Sequence, residues 1–292
     1  MATTVYLNGQ FMPLDAACVS VLDRGFLFGD GVYEVIPVYG GHMLRGVEHI
    51  ERLERSMDSI RIDHPMSRAE WLAMLEQLIE RNGGGDQAIY TAGDPWGAAQ
   101  ARSRLPAGWH PAHRVCHEQP AGPDRRVLAP SWGGVTVPDL RCDLKTIQLL
   151  GNVLARQQAV EQGAVEAILL RDGQAIEGAA SNLFIIKDGT IHTTPKSAAI
   201  LGGITRDLIL ELACAEGIPV RDEGMPEALL RNADEVWVTS STREIVPITR
   251  VDGKLVGEGR PGPVWQRMHA AYQAFKQKVR ENAESFSVSR LG

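Results

Sequence analysis

The chain has 292 residues, 44% of them hydrophobic and 23% charged, with a formal net charge of −6. That length allows one large domain or two modest ones, each able to bury a core. The acidic balance argues against nucleic acid or an anionic membrane as partner. No stretch approaches the ~20 apolar residues of a membrane span. Cys18, Cys116, Cys142 and Cys214 are scattered without a CxxC pair, which suits reduced thiols better than a disulfide framework or a metal site. The first residues, Met1 to Leu7, lack the basic start and long apolar run of a signal peptide, so the expected location is cytoplasmic.

In chain order, Val5-Tyr6-Leu7 and Gln10-Phe11-Met12 flank Asn8-Gly9, a hairpin signal because both turn residues tolerate positive φ. A Gly-rich stretch from Asp23 to Gly31 precedes a strand, Val32 to Tyr39. Val47, Ile50, Leu53, Met57 and Ile60 have helical spacing. A second helix covers Trp71 to Ile79, opened by Ser67 as N-cap with Glu70 three residues on, a capping box. These elements predict a small α+β domain in the first hundred residues.

Beyond about Gly134 the pattern changes. A helix is predicted from Thr146 to Glu161, then strands around the turns Asp172-Gly173 and Asp188-Gly189. A helix from Gly203 to Ala215, a strand at Val236 to Thr239, a hairpin at Asp252-Gly253 and a terminal helix from Val264 to Val279 follow. Hairpins outnumber βαβ crossovers, which predicts a mixed or barrel-like sheet. No GxGxxG follows a strand, so a dinucleotide site is not expected.

The run Glu177-Gly178-Ala179-Ala180-Ser181-Asn182 carries the clearest chemistry. The acid ends one apolar strand, and small residues lead directly into the next, Leu183 to Ile186. A carboxylate there can reach inward, and small neighbours let a flat ligand lie against the backbone. Pyridoxal phosphate is such a ligand: it needs a Lys for its Schiff base and an acid facing its ring nitrogen. A strand-end acid with a surface turn accounts for the same residues equally well.

Further segments lie in a fixed order around that run. They are Arg24-Gly25 with Gly29 to Glu34, His49 to Leu53, Arg141 to Lys145 with Leu149 to Asn152, Leu201 to Arg206, and Thr239 to Ile245. Together they resemble the class IV pyridoxal-phosphate aminotransferases, closest to the D-amino-acid (D-alanine) transaminase branch. The resemblance covers nearly the whole chain. It implies a fold-type IV α/β enzyme with a small N-terminal α/β domain and a larger C-terminal pseudo-barrel domain, drawn here at residues 1–120 and 121–292. It further implies a homodimer acting on an amino acid and a 2-oxo acid, such as D-alanine and 2-oxoglutarate.

By the same resemblance, Lys145 is the Schiff-base lysine and the acid/base that moves the substrate proton. Glu177 faces the pyridine nitrogen and, ionised, keeps it protonated. Arg52, the helix start at Ile204 and Thr205, and the hydroxyls of Ser240 and Ser241 bind the phosphate. Tyr33 and Arg141 are assigned to the substrate side, Arg141 by ordering the lysine loop. Two readings stand beside this one: branched-chain L-amino-acid transfer, and a cofactor-binding homologue with impaired turnover.

Two stretches depart from the family pattern. Pro138 to Cys142 is about three residues shorter than usual and lacks a Trp, so that loop should differ. From Thr91 to Trp132 the usual Thr-Arg-Gly strand end and substrate-carboxylate loop are replaced by Ala92-Gly93-Asp94-Pro95-Trp96-Gly97 and a Pro-rich run. Shifting the codons for Ala92 to Gly97 by one base can restore Thr-Arg-Gly. The expectation is a compensated frameshift, with no strand continuing past Tyr90.

Overall fold

A computed structural model describes residues 3–93 and 141–282. Asn8 and Gly9 both take positive φ, 48° and 89°, and join β1 (Thr4–Leu7) to β2 (Gln10–Pro13). The Gly-rich stretch holds a short helix, α1 (Arg24–Phe28), which the sequence did not suggest. Asp23 caps it through Phe26 N, and Gly29 ends it at φ 64°.

Next come β3 (Val32–Tyr39), β4 (His42–Met43), α2 (Gly46–Ser59), α3 (Arg68–Arg81) and β5 (Gln87–Gly93). β3 is the middle strand of an antiparallel sheet, β4-β3-β5. Its alternation buries Val32, Glu34, Ile36 and Val38 against the two helices and turns Tyr33 to the other face. Ile50, Leu53 and Met57 of α2 and Trp71, Leu75 and Ile79 of α3 fill that core. The capping box of Ser67 and Glu70 forms as its pattern predicted.

β5 corrects one expectation. Thr91, Ala92 and Gly93 do continue the strand, opposite Glu34, Tyr33 and Val32. The ladder needs only backbone groups, and Gly93 fits because a Cβ there would press on Met57 Cε. Residues 94–140, with the rest of the frameshift reading and the domain boundary at 120, lie outside the described residues.

The second part begins with α4 (Leu150–Glu161), four residues later than the sequence suggested. Thr146 and Ile147 are drawn instead into pairing with Val32 and Gly31, which withholds them from the helix. Then follow β6 (Ile168–Arg171), β7 (Gln174–Gly178), β8 (Asn182–Lys187), β9 (Thr190–Thr193) and α5 (Ile204–Ala215). The remainder is β10 (Val220–Asp222), α6 (Glu227–Arg231), β11 (Glu235–Ser240), β12 (Glu244–Ile248), β13 (Arg250–Val251), β14 (Lys254–Leu255) and α7 (Pro263–Arg280).

A mixed sheet, β10-β9-β8-β11-β12, forms the centre; only β9 and β10 run parallel. Alternation along β8 and β11 supplies two cores. Phe184 and Trp237, directly opposed and stacked at 5.1 Å, face α5 and α7. Leu183, Ile185, Val236 and Val238 face α6 and the β6–β7 hairpin side. Among the described residues, no helix is long and apolar enough to cross a membrane.

Candidate active site

Lys145 lies in an irregular segment that β3 holds in place. Tyr33 N donates to Lys145 O at 2.9 Å, and Ile147 N donates to Gly31 O at 3.0 Å. The Lys145 ammonium sits 4.3 Å from the centre of the Tyr33 ring, which stacks on Tyr90 at 5.3 Å. Burial pushes the Lys145 amine down to about 8, and the charge of Arg52 pushes the same way. Glu177 is at the end of β7, where its Oε2 accepts from Leu201 N at 3.2 Å. Burial pushes its carboxyl up to about 7, against the pull of that N–H, Arg171 and Lys145.

Arg52 is buried on α2 rather than lying on a solvated face. Its Nε and Nη2 donate to the two oxygens of Glu34 at 2.6 and 2.7 Å, and Nη1 donates to Gly202 O at 2.9 Å. His49, one helical turn earlier, places Nδ1 2.7 Å from Glu34 Oε2. Burial alone would raise Glu34, but the bonds and charges of Arg52 and His49 win and hold it at about 2. Burial pushes His49 down despite the opposing carboxylate. A guanidinium has five N–H groups, so Arg52 keeps donors for a further anion.

Opposite Arg52, α5 begins at Ile204 with Gly203 as N-cap. Asn182 Nδ2 donates to Leu201 O at 2.7 Å, and any Cβ on Gly203 would collide with Asn182 Oδ1. The first N–H groups of a helix have no intrahelical partner and carry its positive dipole end. Beside them is the β11–β12 turn. Ser240 Oγ accepts from Arg243 N at 3.3 Å, and its own O–H is left to donate. Thr239 lines the same space, and its buried Oγ1 has no hydrogen-bond partner among the described residues.

Lys145, Glu177, Arg52, Tyr33, Arg141, Ile204, Thr205, Ser240 and Ser241 all line one cavity of about 640 Å³. Arg141 stands at its edge, half exposed and paired with Asp143 at 3.1 Å. No role was expected from the sequence for Glu34, His49, Asn182 or Thr239. An acid on the apolar face of a strand, aligned with His and Arg one turn apart on the next helix, was the signal for the first two.

The amino-transferase class IV family profile matches residues 31–251. The chain belongs to the class IV aminotransferases. It is 38% identical over 272 residues to the D-alanine aminotransferase of Bacillus licheniformis, covering 92% of this chain and 95% of that one. Its fold matches the branched-chain amino acid aminotransferase from Escherichia coli with a TM-score of 0.80 at 28% identity, over 100% of this chain and 98% of that one. A T.th. branched-chain amino acid aminotransferase complexed with N-(5'-phosphopyridoxyl)-L-glutamate matches with a TM-score of 0.78 at 25% identity, over 95% of each chain. The chain is therefore a pyridoxal-phosphate-dependent aminotransferase of mixed α/β, fold-type IV architecture.

The cavity fits that cofactor class. Its size is in the range of small-molecule sites. Its lining includes Thr239, whose hydroxyl has no partner among the described residues, Arg52 with its spare donors, and the open helix start at Ile204. A lysine and a carboxyl line the same space.

Proposed function

We propose that this class IV aminotransferase moves an amino group between a D-amino acid, such as D-alanine, and a 2-oxo acid, such as 2-oxoglutarate. The observation that carries the reading is the placement of Lys145, pushed down to about 8, and Glu177, pushed up to about 7, in one cavity that Arg52 and the start of α5 also line. The identity to D-alanine aminotransferases over most of the chain supports the D-amino-acid substrate.

Pyridoxal phosphate supplies an electrophilic carbon and a ring that takes up the electron pair left when a substrate α-proton departs. Lys145 is its Schiff-base attachment point. An amine held near pKa 8 is largely neutral just above that pH, so Nζ can take the α-proton as a base and return it as an acid. Glu177 holds the ring end: a cation opposite its carboxyl would draw it back to the ionised form. Arg52, the N–H groups at Ile204 and Thr205, and the hydroxyls of Ser240 and Ser241 bind the phosphate. Tyr33 walls the Lys145 side, and Arg141 orders the edge of the lysine loop towards substrate.

The active unit in this proposal is a homodimer. Exposed Phe26, Leu27 and Phe28 on α1 and Leu150, Val153 and Leu154 on α4 support it, since Gly29 and Gln148 bring those helices together. Sedimentation at micromolar protein should give twice the chain mass; a monomer that turns over at full rate would sink this part.

A side-by-side assay of D-alanine and L-leucine with 2-oxoglutarate tests the substrate. Pyruvate should form from D-alanine faster than L-leucine is consumed. The reverse order favours branched-chain transfer, a reading that the branched-chain fold matches support. Tight cofactor binding with neither reaction favours the impaired homologue.

A further inference from the structure

One carboxylate outside the cavity touches three of its walls. Glu166 precedes β6, and its side chain is only 1% exposed. Its Oε1 accepts from Ala167 N at 3.0 Å, and its Oε2 accepts from Ser181 Oγ at 3.0 Å. Oε2 also pairs with Arg156 Nη1 of α4 at 3.1 Å and with Arg243 Nη1 of the β11–β12 turn at 3.4 Å.

Each contact belongs to a segment that carries a site residue. Ser181 closes the turn after Glu177, through Gly178 N to Ser181 O at 2.7 Å. Gly178 is needed there, because a Cβ would collide with Ser181 Oγ and press on Glu166 Cγ. Arg243 closes the turn of Ser240 and Ser241. Arg156 is on the helix that follows Lys145, and Asn152 of that helix donates to Ala179 O at 2.7 Å. A buried acid between two cations is stable only with its partners in place, so its loss should be felt in all three segments at once.

We propose that Glu166 is a positioning residue for transamination, locking the turn behind Glu177, the Ser240–Arg243 turn and α4 into one arrangement. The proposal rests on the function given above. The lock sets the distance between the ring end and the phosphate end of the cavity, while Glu166 itself touches neither ligand nor reacting atoms.

Glu166→Gln holoenzyme tests this, because it keeps the volume and an acceptor but removes the charge. Both arginines are about a third exposed, at 35% and 32%, so they can turn to water once released. Pyridoxal phosphate affinity, measured by dialysis, should fall about tenfold, and kcat about tenfold, with KM for the amino donor little changed. Thermal unfolding of the cofactor-free protein should move by only a few degrees. Arg243→Gln should show part of the same loss, and the double variant should lose less than the product of the two.

Unchanged affinity and kcat in Glu166→Gln overturn the proposal, as does a loss confined to thermal stability. If Glu166→Gln does not fold, Arg243→Gln decides through the same two readouts. Full turnover by Lys145→Ala would instead remove the proposed function itself, so the two failures are separable.

Discussion

Two regions at the cavity treat buried charge in opposite ways. Around Arg52, the Glu34 carboxylate is bonded by both Arg52 and His49 and is held at about 2, far from neutrality. Around Lys145 and Glu177, neither group makes an ion pair with another described residue. Burial instead moves both towards neutrality, to about 8 and about 7. Charges bonded to opposite partners stay ionised; charges left without an ion pair are shifted by desolvation.

The largest effect should come from Lys145 and Glu177. Lys145→Ala should reduce transamination to background, because no other amine lines the described part of the cavity. Measurable turnover near that of the parent would break the comparison at its centre. Glu177→Gln should keep the cofactor bound but slow turnover by about 10²–10⁴. Glu177→Lys should be slower still, since a cation there opposes protonation of the ring nitrogen. Steady-state rates of the two variants in parallel check the order.

Around Arg52 the main cost should be stability. Glu34→Ala leaves Arg52 and His49 buried without their carboxylate, and urea unfolding should show a loss of about 3–5 kcal/mol. A loss below about 1 kcal/mol would mean that the cluster is not a scaffold.

The smallest effect sharpens the contrast through pH, in cofactor-free protein. The folded pKa of Lys145 lies below its ordinary value of 10.5, so folding favours the neutral amine. Stability from this group is present above pH 10.5 and is lost as pH falls towards 8. Lys145→Met should therefore stabilise the apoprotein at pH 7 by about 1–3 kcal/mol, and the gain should vanish above pH 10.5. Glu177 is the mirror case, with a folded pKa above its ordinary value of 4.5. Its penalty grows as pH rises from 4.5 through 7, so Glu177→Gln should stabilise at pH 8 and not at pH 4. Equal unfolding midpoints for parent and variants across this range would remove the desolvation argument.

Much of the fold was legible because its turns and caps sit in short local patterns. The Ser67–Glu70 capping box and the Asn8-Gly9, Asp172-Gly173, Asp188-Gly189 and Asp252-Gly253 turns depend on neighbours a few residues apart, and all formed. The start of the helix after Lys145 was misjudged for the opposite reason. Thr146 and Ile147 have helical spacing, yet Val32 and Gly31 compete for them from more than a hundred residues away. The strand at Thr91 to Gly93 was missed similarly: its apolar period is weak, and β3 supplies the pairing.

By itself, the amino-acid sequence determined the candidate site residues and their order: Lys145, Glu177, Arg52 and the small-residue turns keep their local spacing whatever the rest does. Only the tertiary structure decided the state of those groups. It placed Arg52 and His49 on Glu34, Glu166 behind two turns, and desolvation on Lys145 and Glu177. Burial and Coulomb interaction depend on distance in space, and partners from separate segments set that distance when the chain closes around the cavity.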